Sequence, residues 1–261
     1  MVALETQQAM RAVQGLPFCY LCGNEFVAAG ARNRDHVPPS SIFAIPDRNF
    51  PLVLPTHTAC NGGWSAGDEA IAQLVGLLHG KPLPIPARLE FASGLFDDGT
   101  QGVAVRGLDL RAVIRRCVRG FHAALYREPL ASTMAFATCP PMPEVRVEDA
   151  GAQYVEPPEM CERFVEELQR NRASRTVDRI VCRNGKCRYE CVWSLAEDGR
   201  WLCIYGLDLY GWRELGDPDH FEPRSCVGAY RLPDARIPDA AGRATELVFS
   251  IGGGRRDPFG E

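Results

Sequence analysis

No apolar run in the chain approaches the roughly 20 residues that a membrane-crossing helix needs. The longest runs, such as Ala70 to Leu78, are interrupted by polar or flexible residues, here Gln73 and Gly76. The first 18 residues carry Glu5, Gln7, Gln8 and Arg11 among the apolar positions, which is not the charged-then-apolar order of a secretory leader. Both absences lead to the expectation of a soluble, cytoplasmic protein. Positive charge is short as well: 29 Lys and Arg stand against 33 Asp and Glu, a formal net charge of −4. Phosphate binding is driven by Lys and Arg releasing counterions, so this balance argues against a strong nucleic-acid binder unless basic residues cluster locally. Internal repeats are missing, which excludes a repeat architecture.

What is present is enough for a substantial core, since 46% of the 261 residues are hydrophobic, sufficient for one large domain or two small ones. The 11 cysteines, with no leader in front of them, fit a reducing compartment in which metal binding explains the paired ones better than disulfides do. Cys19-x2-Cys22 and His57-x2-Cys60 are two such pairs. Each is short enough for both side chains to reach one ion, and together they supply the four ligands a tetrahedral zinc prefers. Between the pairs lies Asp35-His36.

The local pattern around these residues predicts a helix over 3–14, ended by Gly15 and Pro17, then a knuckle from Cys19 to Gly23 in which Gly23 permits the bend. A strand over 31–37 brings Asp35 and His36 to its end, where Pro38 and Pro39 stop it, and Leu52-Val53-Leu54 is a second short strand. After Cys60 the expectation is one helical turn, a kink at Gly62-Gly63, and a helix whose first turn carries a Ser65-x-x-Asp68 capping box. Ile71, Leu74, Val75 and Leu78 form its buried face.

C-x2-C, then DHVPP, then NFPLVLP, then H-x2-C-N-G-G-W-S resembles, in that order, the HNH endonuclease family in its zinc-knuckle form, with Asn in place of the final His. The resemblance covers roughly the first quarter of the chain. It implies a ββα-metal, treble-clef-like motif with a structural zinc on Cys19, Cys22, His57 and Cys60 and a second, hydrolytic divalent ion such as Mg²⁺. In the family's roles His36 is the general base, which suits an imidazole whose ordinary pKa lies near about 6.5. Asp35 and Asn61 are the protein ligands of the divalent ion, and Asn49 orients the base. Two departures stand out: His57 occupies a position where many members have Cys, and the spacing from Asn49 to His57 is one residue longer than in the related pattern. Asp68 and Glu69 approach the ion or, for Asp68, cap the helix. Each residue also has an ordinary reading, since Asp-His pairs are common in turns, Asn49 can cap a loop and Asn61 before two glycines suits a left-handed turn.

Beyond the motif, KPLPIPAR at 81–88 marks a boundary, giving an N-terminal zinc and nuclease domain over 1–80, a helical and antiparallel β region over 81–232 and a loose C-terminal segment over 233–261. A helix over Leu108–Tyr126 buries Leu110, Val113, Ile114, Cys117, Phe121 and Leu125, with Arg111, Arg115 and Arg119 in a neighbouring stripe that either contacts phosphate or is simply solvated. Residues 138–158 read as a proline-rich loop, followed by a helix over Glu159–Arg170. Residues 170–188 hold seven Arg and Lys against Asp178 alone, a local net charge of +6, and this is the best candidate for a backbone-binding patch, with Arg175, Arg179, Arg183 and Lys186 at its centre. From Ile180 the period becomes two, which predicts a β-meander with an Asn184-Gly185 hairpin that sets Cys182 opposite Cys187 as free thiols. A second metal site on Cys182, Cys187 and Cys191 is the alternative for those cysteines. His79, His122 and His220 are expected to be structural or exposed.

The fold class expected is therefore α+β. The leading function is a metal-dependent endonuclease hydrolysing phosphodiesters, with DNA as the expected substrate. The alternatives are a catalytically inactive zinc module that binds nucleic acid or serves as an adaptor, and a zinc scaffold for protein contacts alone.

Overall fold

The computed structural model describes residues 1–27, 32–78, 89–95, 101–131, 134–139, 145–148, 158–196, 198–209, 226–234 and 236–249. The architecture is α+β. The first half of the chain contains β1 (Ala3–Leu4), α1 (Gln7–Ala12), β2 (Arg32–His36), β3 (Val53–His57), α2 (Thr58–Asn61), α3 (Ser65–Leu78), β4 (Glu90–Leu95), β5 (Gln101–Arg106) and α4 (Leu110–Tyr126). The second half contains β6 (Phe136–Cys139), β7 (Val145–Glu148), α5 (Pro158–Ala173), β8 (Asp178–Cys182), β9 (Cys187–Ala196), β10 (Trp201–Leu209), β11 (Cys226–Tyr230) and β12 (Arg243–Phe249). No helix among the described residues is long and apolar enough to cross a membrane.

The centre of the molecule is a seven-stranded sheet in the order β1-β8-β9-β10-β11-β6, with β12 also pairing β9. The β8-β9-β10-β11 meander is antiparallel, whereas β1 and β12 join it in parallel. Alternate residues of the long strands serve two cores. Tyr189, Cys191, Trp193, Cys203, Tyr205 and Tyr230 face the core that contains α4, while Val192, Leu202, Ile204 and Ala229 pack with Met160, Phe164 and Leu168 of α5. Both faces of β9 and β10 are therefore buried. The turn between β8 and β9 has Asn184 (φ 53, ψ 34) and Gly185 (φ 78) in the left-handed region, closed by Lys186 N–H donating to Arg183 O at 2.9 Å. An Asn-Gly pair adopts this turn at low cost. It sets Cys182 opposite Cys187, and both are free thiols, as are the meander cysteines Cys191 and Cys203. Cys161, on α5, is disulfide-bonded.

β2 and β3 form a separate antiparallel pair in which Asp35 faces Leu54 and His36 faces Val53. α2, a turn at 62–64 and α3 follow at once, the kinked arrangement expected from Gly62-Gly63. The first core runs without a break from Leu4, through Cys19, Tyr20, Leu54 and Ile71, to α4 and the large sheet. The β2–β3 unit is packed onto α4, closest at Gly120, where an added Cβ would lie 2.8 and 3.0 Å from the two methyl carbons of Val37.

Several expectations need correction. The first helix is shorter than 3–14, because Ala3–Leu4 is drawn into the large sheet beside β8. Val145–Glu148 and Phe136–Cys139 are strands where a loop was expected; β7 pairs with β5 and β6 with β11. β4 and β5, a hairpin, carried no recognised signal. The boundary peptide at 81–88 and the tail from 252 to 261 lie outside the described residues; the last strand, expected over Glu246–Ile251 within the loose C-terminal segment, is Arg243–Phe249 and belongs to the large sheet.

Candidate metal centre and the adjoining carboxylate site

The knuckle forms because the chain turns back within five residues. Gly23 (φ 80) donates its N–H to Cys19 O at 2.8 Å, and Cys19 N–H donates to Asn24 O at 2.9 Å. β3 then delivers His57 and α2 delivers Cys60. The ligand atoms of Cys19, Cys22, His57 and Cys60 all lie within 4.8 Å of one another. His57 Nδ1 is 3.3 Å from Cys22 Sγ and 3.9 Å from Cys60 Sγ, so Nδ1 is the nitrogen that faces the sulfurs. With metal bonds of about 2.0–2.3 Å, a set of this size can hold one tetrahedral ion such as zinc.

The electrostatics favour a cation there. Burial opposes ionisation of the Cys19 thiol, but the Thr56 hydroxyl and the N–H groups of His57, Cys22 and Leu21 overcome it and bring the thiol down to about 7. Cys60 is pushed up to about 11, by desolvation and then by its proximity to Cys19 and Cys22. Mutual repulsion among three sulfurs is what a bound divalent ion relieves.

Next to this centre, Asp35 and His36 diverge. Successive strand residues point to opposite sides, so Asp35 turns inward and is 6% exposed, whereas His36 lies at the surface. Asp35 is enclosed by donors. Arg116 Nη2 donates to both carboxylate oxygens at 2.7 Å, Arg116 Nε donates to Oδ2 at 3.2 Å, and the Tyr20 hydroxyl also donates to Oδ2. The same guanidinium donates to Asp68 Oδ1 through Nη1 and to Asn61 Oδ1 through Nη2 at 3.5 Å, and it lies 5.0 Å above the Trp64 ring. Asp35, Asn61 and Asp68 thus converge on one positive charge, supplied by an arginine 3% exposed on α4.

Desolvation raises the Asp68 carboxyl above its ordinary range, and Arg116 only partly offsets it. For Arg116 the outcome differs: burial opposes its charge, but the carboxylates of Asp35 and Asp68 outweigh it and hold the guanidinium protonated. The Tyr20 hydroxyl is driven well up by burial and by Asp35, so it remains a donor. His36 is lowered from 6.5 by partial desolvation and then by Arg183, with Asp35 acting the other way. The imidazole is neutral at neutral pH and makes no hydrogen bond among the described residues.

The remaining expected site residues fare unevenly. Asn61 is brought to Asp35 through Arg116. Asn49 is exposed, and its amide donates to Pro46 O at 3.3 Å, not to His36; it ends the 3-10 turn Ile45–Arg48. Asp68 does not cap α3, because the helix already begins at Ser65 and the Asp68 carboxylate is engaged by Arg116. Glu69 is exposed. His122 is a buried structural residue, with Nδ1 2.9 Å from the Tyr230 hydroxyl and Nε2 3.3 Å from Glu128, while His79 and His220 lie outside the described residues.

Two members of the 170–188 cluster, Arg183 and Arg188, are withdrawn from the surface. Arg183 is buried, donating to Arg48 O at 2.8 Å with its guanidinium 5.2 Å over the Phe43 ring. Arg188 is buried against Glu190, Arg179 pairs with Glu5 at 2.6 Å and Arg170 with Glu167 at 3.0 Å. The acids that neutralise it lie outside the window over which the charge was summed. Arg175 is exposed, and Lys186 is half-buried. The α4 stripe is used internally too: Arg111 donates to Phe136 O at 3.1 Å, Arg119 to Leu130 O at 3.2 Å, and Arg115 lies 5.3 Å over the Phe136 ring.

Arg116 and Tyr20 were not recognised from the sequence. A signal existed for Arg116, which falls three residues after Val113 and four before Gly120, inside the apolar stripe of α4. No family model, no curated protein and no solved structure matches the chain.

Proposed function

We propose that the chain is a metal-dependent phosphodiester hydrolase of the HNH type, acting on nucleic acid, with DNA the expected substrate. One observation carries this reading: oxygens of Asp35, Asn61 and Asp68, from three different elements, converge on a single cation, and the exposed His36 follows Asp35 directly on β2. Hard oxygen donors of this kind suit Mg²⁺ or Mn²⁺ in type. When bound, such an ion supplies charge stabilisation at phosphorus and at the leaving oxygen. The chain's own contribution is the neutral His36, placed to accept a proton from the attacking water at its free ring nitrogen. Tyr20 holds Asp35 in one orientation, and the four-ligand metal centre fixes β3 and α2 relative to the knuckle. The β2–β3–α2 order supports reading this unit as a ββα-metal motif.

Substrate contact is assigned to the outer face of β2. Arg32, Arg34 and His36 alternate onto the same side of the strand. Arg32, Arg34, Val53 and Pro55 help line a groove of about 350 Å³. The Arg34 guanidinium makes no hydrogen bond or ion pair among the described residues, which leaves it available to a phosphate.

A second reading has its own observation. The guanidinium of Arg116 already satisfies the three oxygen donors, as it would in a zinc-stabilised binding or adaptor module that performs no turnover. Cleavage of supercoiled plasmid by the zinc-loaded protein with Mg²⁺, Mn²⁺ or Ni²⁺ separates the two. Cleavage lost with EDTA and in His36→Ala supports the hydrolase; DNA retention without cleavage under any metal supports the module.

A further inference from the structure

The donors converge where the resemblance places a divalent ion, yet the charge at that point belongs to the chain itself. Arg116 makes bonds to Asp35, Asp68 and Asn61 simultaneously, lies against Trp64 and is excluded from water. We infer that Arg116 is a resident cation that occupies the hydrolytic ion's place, so that a divalent ion binds only when this side chain leaves. The inference rests on the hydrolase reading for the identity of the second cation.

Three features support a latch rather than an ordinary surface ion pair. First, the guanidinium is the one cation bonded to both carboxylates among the described residues, and it uses all three of its nitrogens to meet them. Second, its charge is permanent, because an arginine does not lose its proton in the accessible pH range. It is therefore displaced by competition and not by titration. Third, α4 is held close to β2 at Gly120, one turn beyond Arg116, so the backbone that carries the latch cannot recede without losing packing against Val37 and Leu54. Release has to come from rotation of the side chain. Asp35 and Asp68 bring two negative charges to the site and Arg116 one positive, which leaves room in the charge balance for a divalent ion as a replacement.

The test is calorimetric titration of Mn²⁺ into the full-length, zinc-loaded protein, with Arg116→Met, Arg116→Lys and Asp35→Asn beside the wild type, and melting temperatures recorded with and without Mn²⁺. The wild type is expected to bind Mn²⁺ weakly at this site and to gain little thermal stability from it. Arg116→Met is expected to melt lower without added metal, to bind Mn²⁺ at least roughly tenfold more tightly and to recover stability as the ion is added, since a fixed positive charge has been removed from beside it. Arg116→Lys keeps the charge but not the planar fork, and should fall between the two. Asp35→Asn should abolish the gain. Tight Mn²⁺ binding by the wild type that Asp35→Asn removes would overturn the inference, as would an Arg116→Met protein with no gain in affinity. If Arg116→Met folds only with Mn²⁺ present, the inference is supported; if it folds under neither condition, the wild-type and Arg116→Lys titrations decide. Plasmid cleavage is scored separately. Arg116→Met that gains Mn²⁺ but cuts no DNA would sink the hydrolase reading and leave the latch standing, whereas efficient wild-type cleavage at micromolar Mn²⁺ would do the reverse.

Discussion

Gly120→Ala is a one-carbon change that asks whether α4 belongs to the site or merely passes behind it. In an exposed helix interior this substitution stabilises by about 1 kcal/mol, because alanine loses less backbone entropy than glycine and shields the helix better. Here the new methyl would lie 2.8 Å and 3.0 Å from Val37 Cγ1 and Cγ2 and 3.3 Å from Leu54 Cδ1. Val37 is β-branched and buried at the end of β2, so it cannot turn its methyl carbons aside without moving the strand. Overpacking of this kind costs about 1–3 kcal/mol. The propensity gain offsets part of it, and the net expectation is a loss of up to about 2 kcal/mol, or as much as roughly 8 °C in melting temperature for a protein of this size. Urea denaturation with an unchanged m-value measures it directly. The substitution also pushes Arg116 from Asp35, so Mn²⁺ affinity should change in the same protein. A stabilised Gly120→Ala would refute the reasoning, because it would place α4 too far from β2 for the guanidinium to be held as described.

Zinc analysis should find one ion per chain, and Cys22→Ser or prolonged chelation should lower stability, with limited proteolysis starting inside the 19–24 knuckle; a fully metal-free protein of unchanged stability would remove the metal centre. Because partial desolvation and Arg183 depress the His36 pKa, the acidic limb of kcat/KM for cleavage should fall below about pH 6.5. A limb above pH 7 would exclude His36 as the base. His122 is buried neutral, so its pKa in the folded state lies below its unfolded value of about 6.5. Its contribution to stability is complete above that pH and is lost as pH falls through the lower, folded pKa. Urea midpoints from pH 7.5 down to 5.0 should decline, and His122→Phe should flatten that decline.

The parts of the molecule that could be read in the sequence are those fixed by short-range rules. Two residues between Cys19 and Cys22, and two between His57 and Cys60, permit each pair to reach one ion, so that set was visible without knowing the fold. The same holds for the Asn184-Gly185 turn, for the kink at Gly62-Gly63 and for the buried face of α4. Asp35 was found, but its environment was not. Its main partner, Arg116, is 81 positions away, and no local pattern connects a strand end to a helix that far along the chain. β4, β5 and β7 were missed for a related reason: each is only four to six residues long, where periodicity is too weak to distinguish a strand from a loop, and the β5–β7 pairing spans the whole of α4.

The arginines show what a count of charge along 170–188 leaves out. Arg116, Arg119, Arg183, Arg188 and Arg231 are all buried. A guanidinium can be buried where a lysine would shift its pKa, because it spreads its charge over a plane and donates in several directions at once. Each of the first four meets an acid or a carbonyl: Asp35 and Asp68, Leu130 O, Arg48 O, and Glu190. Among the described residues the five buried arginines are matched by five buried acids, Asp35, Glu167, Asp178, Glu190 and Asp208, so burial leaves the balance of −4 to the rest of the chain unchanged. Under the proposed function, nucleic acid is met by a few exposed cations and not by a broad field. Arg34 is such a cation, on the same face of β2 as His36 and two residues before it. Arg34→Ala should therefore weaken DNA binding and reduce its dependence on salt by about one phosphate contact, while Arg183→Ala should act through stability alone. Equal loss of salt dependence in both variants would show that the buried cluster is not closed to DNA after all.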